Sequence, residues 1–372
     1  MLISLIQDNP GEPAFKTRFR DPVLLRSYGY DAIALADGLL ALPSYQATSV
    51  NAPEPATNDL TTSLERQINA AHESGMQIFL HASALVLPRS LVERSPERFL
   101  CQETAGAGGA GSAVRLCPAQ PAVLGAYGQA IRELLTRWPG AAGIIIRPGI
   151  VQHAAHPHLV ATALHEPNCP HCRGLSLVAR HALLIKHLHH IVAEEFGKLY
   201  IHRLAQRASP GAPTLHDDPA LFQALAAELP ASDRLIFSLA CYQGDGRFGQ
   251  PFNPCLMAGG GVAPHPLWVE FPCEPEFEGK GAFPNFQVPR WLELSADLAA
   301  GTHPDRYSYL AIARGTSGGG GTSLGGGGGG GPYPQREEWI DANVFGLAEL
   351  VHHPAQKADA IPRLWEARSF NT

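Results

Sequence analysis

The stretch Trp268-Val-Glu-Phe-Pro-Cys-Glu-Pro-Glu-Phe-Glu-Gly279-Lys280 decides the reading of the fold. It opens as a short apolar run of the kind that forms a buried strand. At Pro272 it breaks into a mouth that carries Glu274, Glu276, Glu278 and Lys280. A buried strand that ends in clustered carboxylates is how a barrel scaffold presents an acid or a base.

Outward from that stretch, the chain alternates short apolar runs with longer helical patterns. The runs are Leu2 to Gln7, Asp31 to Ala36, Gln77 to Ala82, Gly143 to Arg147, Lys198 to Leu204, Leu235 to Ala240, Leu267 to Phe271 and Ser308 to Ala313, eight candidate strands in all. Between them, Thr62-Ser-Leu-Glu65 matches a capping box ahead of Ile68, and Gly75 closes that helix. Leu175 to Phe196 keeps apolar residues on one face and stops at Gly197; Pro219 to Leu229, Val288 to Ala300 and Glu337 to Val351 repeat the pattern. Eight strands, each followed by a helix, predict a (β/α)8 TIM barrel, a single α/β domain over residues 1–372. An open doubly wound sheet is disfavoured, because no Gly-x-Gly-x-x-Gly turn follows the early strands.

Composition narrows the function. A chain of 372 residues that is 45% hydrophobic can bury a large core. A net charge of -6 and a pI near 6.3 give no basic footprint, so nucleic acid is not an expected partner. Seven cysteines, an odd number with no dense Cys pattern, point to reduced thiols in a cytoplasmic setting. The N-terminus Met1-Leu-Ile-Ser-Leu-Ile-Gln7 has no basic region of a signal peptide, and no apolar run approaches the roughly 18–20 residues that span a bilayer. No membrane contact is expected.

In a barrel, chemistry sits where strands end and loops begin. His81 and Ser83 follow the third strand, Arg147 ends the fourth and His202-Arg203 the fifth. The sixth runs into Tyr242-Gln-Gly-Asp245-Gly-Arg247-Phe248, and the seventh into the glutamate cluster with Lys280. Arg147 and Arg203 on neighbouring strands suit a ligand carboxylate, which a guanidinium grips with two parallel bonds; they equally suit nearby loop carboxylates.

These residues resemble the alpha-glucuronidases of glycoside hydrolase family 67, which remove glucuronic acid side groups from xylan. The resemblance covers most of the chain. It is strongest in Val269-Glu-Phe-Pro-Cys-Glu-Pro-Glu-Phe-Glu-Gly279, followed by Trp291, and in Glu338-Trp-Ile-Asp-Ala-Asn-Val-Phe-Gly-Leu-Ala-Glu-Leu-Val-His-His-Pro354, which is similar to the family's final barrel helix. It implies Glu276 as catalytic base, Arg203 as a contact to the sugar acid, and Arg147 in place of a lysine of similar role. It implies a carbohydrate substrate and inverting hydrolysis.

The departures are equally specific. The family's general-acid glutamate falls on Val151, and no Asp or Glu occurs between Gly143 and Glu166. A second carboxylate on the base side falls on Arg247, with Asp245 displaced by two positions. Inverting glycosidases need two carboxyl groups roughly 6.5–9.5 Å apart. Three readings stay open: Glu274, Glu278, Asp245, His81 or His153 supplies the acid; the barrel binds a uronate without cleaving it; or it has moved to another hydrolytic reaction. The family also carries a domain before the barrel and a helical domain after it, so the expectation is a barrel alone or a truncated product, with oligomeric state open.

No organic cofactor is expected, but a structural zinc is a rival theme. Cys169-Pro-His-Cys172 is a Cys-x-x-Cys knuckle, and His165 with another histidine can complete a tetrahedral site. No second Cys-x-x-Cys exists. His181, His187, His189 and His190 share one helix, where their spacing suggests a partly solvated face. The glycine-rich tract at 315–334 reads as low-complexity loop on the catalytic side; no Gly-Lys-Ser/Thr follows it, which excludes a P-loop.

Overall fold

The computed structural model describes residues 1–7, 17–35, 38–45, 56–101, 115–148, 158–161, 164, 169–204, 214–243, 251–258, 265–273, 286–300, 307–314, 337–357 and 359–370. Ten strands are described: β1 (Leu2–Gln7), β2 (Ala32–Leu35), β3 (Gln77–Ser83), β4 (Val86–Pro88), β5 (Gly143–Arg147), β6 (Leu159–Ala161), β7 (Leu199–Arg203), β8 (Leu235–Ala240), β9 (Leu267–Pro272) and β10 (Tyr307–Arg314). Eight of them close into a parallel barrel in the order β1-β2-β3-β5-β7-β8-β9-β10, with β10 returning to β1 in the register Leu2↔Tyr309 to Gln7↔Arg314. This is the (β/α)8 TIM barrel, and its strands fall within a residue or two of the apolar runs. The remaining two, β4 and β6, form a small antiparallel ribbon that the sequence pattern did not announce. Three residues each is too short for a legible period.

The helices are α1 (Pro22–Tyr28), α2 (Ala56–Glu73), α3 (Arg89–Val92), α4 (Pro96–Phe99), α5 (Pro121–Arg137), α6 (Pro170–Arg173), α7 (Leu177–His189), α8 (Pro219–Ala227), α9 (Pro254–Met257), α10 (Val288–Ala299), α11 (Glu337–His352) and α12 (Ala360–Phe370). A π-helical turn, His190–Glu195, extends α7. Among the described residues, no helix is long and apolar enough to cross a membrane.

Helix ends follow local chemistry. Asp21, Ser176 and Asp218 cap α1, α7 and α8 by accepting backbone N–H bonds, and Pro22 and Pro219 occupy first-turn positions where no donor is needed. Gly75 ends α2 with φ +70°, as its position suggested. The start of α2 differs from expectation: Thr62-Ser-Leu-Glu65 lies inside the helix, which begins at Ala56. A capping-box pattern needs a non-helical first residue, and the preceding turn is already helical.

The histidine-bearing helix also corrects the reading. His181 and His189 are buried, His187 is half-buried, and of these only His190 is exposed. His181 packs against the barrel, where it meets His202 edge to face with ring centroids 5.7 Å apart, and His187 packs beside Gly128 of α5. The glycine-rich tract at 315–334 lies outside the described residues.

Inside the barrel, strand alternation places one side chain of every second residue on the axis. Ile3, Leu5, Ala32, Ala34, Phe79, Ile145, Ile201, Ile236, Trp268 and Leu310 fill it as an apolar plug. Trp268 packs edge-on to Phe79 at 5.3 Å. Outside the barrel, α11 locks the end of β9 to the start of α10. Asn343 donates to the Cys273 carbonyl at 3.0 Å and accepts from the Gln287 N–H at 2.8 Å. Asp341, on the same helix, accepts from Tyr28 on α1 and Trp365 on α12, both at 2.8 Å.

Candidate functional site

Two residues beyond the apolar plug, the inward positions turn polar. Phe79 is succeeded by His81, Ile145 by Arg147, Ile201 by Arg203, Ile236 by Ser238 and Trp268 by Glu270, all at the carboxyl ends of neighbouring strands. Period-2 alternation therefore stacks a layer of hydrogen-bonding groups directly on an apolar floor. Such a layer is where a TIM barrel holds its ligands.

Glu270 sits at the centre. Arg203 donates from Nε to Oε1 at 2.8 Å and from Nη2 to Oε2 at 2.7 Å, and Ser238 Oγ donates to Oε1 at 2.7 Å. Both charged side chains are about as buried as the core, at 3% and 2% exposure. Burial alone would raise the Glu270 pKa; the charge and hydrogen bonds of Arg203, with the Ser238 hydroxyl, outweigh it and hold the carboxyl below its usual range. Glu270 is therefore an ionised group at neutral pH, an acceptor and not a proton donor.

His81 completes the layer. Arg203 Nη1 lies 3.4 Å from its Nε2. Burial, with the positive charges of Arg203 and Arg147, pushes its pKa well below the histidine norm, so the imidazole is neutral. An arginine can only donate, so Nε2 is the acceptor and the proton sits on Nδ1. Arg147 ends β5 at the mouth and is half-buried. On the outer face of β7, between Ile201 and Arg203, His202 is buried against Tyr200, whose hydroxyl is 2.8 Å from Nδ1, and burial lowers its pKa to about 3.

The described residues thus bring together His81, Arg147 and Arg203 from the sequence reading. Glu276, Glu274, Glu278, Asp245, Arg247, Lys280, Val151 and His153 lie outside the described residues. The sequence reading passed over Glu270 and Ser238. A signal for Glu270 was present: a carboxylate inside the apolar run Trp268-Val-Glu-Phe271 is almost never buried unless it has a partner.

The expected pairing of Arg203 with a ligand carboxylate meets a geometric fact. The two-donor edge of its guanidinium is occupied by Glu270. Arg147 ends β5 at the same mouth and is half-buried.

A second constellation lies beside this mouth. Cys169 and Cys172 are joined by Cys101 and Cys117, and the four sulfur atoms lie within 4.8 Å of one another. His165, named with the knuckle, lies outside the described residues.

No protein-family model matches the chain, and no curated protein matches it significantly. Solved structures do. A beta-galactosidase from the psychrophilic Marinomonas ef1 aligns with a TM-score of 0.51 at 13% identity, covering 97% of this chain and 61% of that one. A GH20 beta-N-acetylhexosaminidase from Streptomyces coelicolor A3(2) gives 0.51 at 12%, covering 94% and 63%. What the chain shares with these two proteins is the (β/α)8 barrel. A GH20 catalytic module of a pneumococcal exo-beta-D-N-acetylglucosaminidase aligns at 0.49 and 11%, covering 94% and 83%. At such identities the likeness is one of fold. This chain spans less than two-thirds of the first two of these proteins.

Proposed function

We propose that the barrel is a glycoside hydrolase acting on a uronic-acid-bearing carbohydrate, in the manner of an alpha-glucuronidase with inverting hydrolysis. The observation that carries this reading is the polar layer of His81, Arg147, Arg203, Ser238 and Glu270 on an apolar floor at the barrel mouth. Sugar hydroxyls need fixed donors and acceptors, and a uronate carboxylate is suited to a guanidinium. Arg147 takes the carboxylate. Arg203 is too buried for that task and instead keeps Glu270 ionised and in place.

Glu276 is the base that activates water. Glu274 or Asp245 supplies the acid, because Glu270 is held as a carboxylate and cannot donate a proton. The carbohydrate substrates named for the similar barrels add support at the level of class. Arg247, Lys280 and His81 contribute substrate contacts in this reading.

The test is product release from a panel of oligosaccharides bearing glucuronic or galacturonic acid, run on wild type beside Glu276→Gln. The expected result is turnover by wild type, with loss of turnover but retained sugar binding in the variant. Unchanged turnover in Glu276→Gln removes that residue from the mechanism.

A second reading rests on Val151 and the absence of any carboxylate between Gly143 and Glu166, where the resemblance places an acid. On that reading the barrel binds a uronate and does not cleave it. Saturable uronate binding with no product from any substrate selects it.

A further inference from the structure

We propose that Cys101, Cys117, Cys169 and Cys172 form a closed tetrathiolate site for one structural zinc ion. The argument is metric. The Sγ–Sγ separations are 3.6 Å for Cys117–Cys169, 3.5 Å for Cys169–Cys172 and 4.0 Å for Cys101–Cys172. A disulfide requires about 2.05 Å, and all seven cysteines are free thiols. Four sulfurs at the usual Zn–S distance of about 2.3 Å define a tetrahedron with edges of roughly 3.8 Å. The observed spacings straddle that edge. They are too short for the wider ligand cage of a multi-iron cluster, whose cysteines bind different metal atoms.

The backbone is built to hold these four positions. Cys101 and Cys117 flank the antiparallel bridge Leu100↔Leu116, with the Cys101 N–H donating to the Arg115 carbonyl at 3.0 Å and the Cys117 N–H to the Phe99 carbonyl at 2.8 Å. Cys169 and Cys172 share the first turn of α6. There the Cys169 N–H donates to Cys172 Sγ at 3.3 Å, and the Cys172 N–H donates to Cys169 Sγ at 3.5 Å. Backbone N–H groups aimed at sulfur stabilise thiolates and orient them, as outer-shell partners of metal ligands do. As the Zn–S bonds form, the thiols release their protons to solvent.

Three of the four cysteines are buried and Cys101 is half-buried. Four protein ligands leave no open position for water or substrate, so the site is structural. A four-sulfur tetrahedral set favours zinc or iron, and zinc brings no redox chemistry to a buried staple. Its position explains its use. Cys101 and Cys117 belong to the excursion after β3, and Cys169 and Cys172 to the excursion after β5. The same two excursions are stitched by the β4–β6 ribbon and by the Leu116 N–H donating to the Ala161 carbonyl at 3.4 Å. One ion would pin both to each other on the side of the mouth that carries His81 and Arg147.

The experiment is elemental analysis of the full chain, expressed in zinc-supplemented medium and purified without chelator. About one zinc per chain is expected, with loss of that zinc in Cys101→Ser and in Cys117→Ser, and retention in Cys255→Ser, a buried cysteine elsewhere. Absence of zinc, iron in its place, or zinc retained by both site variants overturns the proposal. If the site variants do not fold, wild type grown in cobalt-supplemented medium decides. Intense thiolate-to-cobalt charge-transfer bands with four-coordinate ligand-field absorption support the site. Their absence, or a native mass showing these cysteines as disulfides, overturns it.

Discussion

Arg203 and Glu270 form a two-bonded ion pair inside the barrel, at 2.8 and 2.7 Å, between strands separated by β8. Breaking such a pair from one side strands a charge in a dry interior, which costs about 3–5 kcal/mol. Arg203→Met and Glu270→Leu are each expected to lower the unfolding free energy from urea titration by about that amount. The double variant Arg203→Met/Glu270→Leu is expected to recover much of the loss, because neither charge is then left alone. A double variant as unstable as the sum of the singles contradicts this account.

In the proposed function, Arg147 takes the ligand carboxylate. Arg147→Ala is expected to raise KM for a uronate-bearing substrate by about 10- to 100-fold, the worth of a charge-assisted bond of about 1.5–3 kcal/mol. Binding of the corresponding neutral sugar is expected to change little. Equal loss for both ligands shows that Arg147 serves the barrel and not the carboxylate.

The buried imidazoles make the fold sensitive to mild acid. His81 and His202 are held neutral by burial, and His187, His189 and His265 are shifted downward for the same leading reason. The unfolded chain takes up these protons first, as pH falls through about 6.5, so their contribution is complete above that value and is lost below it. Each fully buried imidazole removes about 1.4 kcal/mol per pH unit in that window. Glu270 acts in a lower range. Its depressed pKa gives stability that is present above about 4.3 and lost as pH falls further through the folded value. Urea unfolding at pH 7.5 and pH 5.5 is expected to show a clear loss at the lower pH, reduced in His202→Phe if that variant folds. Flat stability between these pH values contradicts the assignment.

Two glycines are fixed by close approach. A Cβ on Gly143 would overlap the Leu199 carbonyl oxygen, and one on Gly346 would overlap Val288 Cγ2. Gly143→Ala meets backbone that cannot rotate away, and Gly346→Ala meets a branched side chain in the core. Each is expected to destabilise by about 1–3 kcal/mol, with Gly143→Ala the larger. Gly125→Ala, where nothing lies within 4 Å of the added atom, is the control and is expected to be neutral or stabilising. Thermal unfolding of the three variants checks the order.

Asn343 is expected to matter more than its size suggests. Asn343→Ala leaves the Cys273 carbonyl and the Gln287 N–H without their buried partner, at about 1–3 kcal/mol for each group. Asn343→Asp keeps the acceptor but sets a buried carboxylate against the Cys273 carbonyl, so at neutral pH a loss at least as large as that of Asn343→Ala is expected.

The eight apolar runs, alternating with helical patterns, pointed to the barrel, because a strand covered on both faces must be apolar throughout, as Gly143-Ile-Ile-Ile-Arg147 is up to its last residue, and no dinucleotide-binding glycine turn favoured the open sheet. The sequence also marked Arg147, His81 and the knuckle Cys169-Pro-His-Cys172, since each carries its chemistry in its type and place. It did not reveal that Glu270 is the partner of Arg203, that Cys101 and Cys117 meet the knuckle, or that the histidines of α7 face inward. Those facts depend on which strands become neighbours and on how loops far apart in the chain are folded together. Period and composition govern single elements, whereas a buried charge or a ligand tetrahedron exists only when several elements converge on one point.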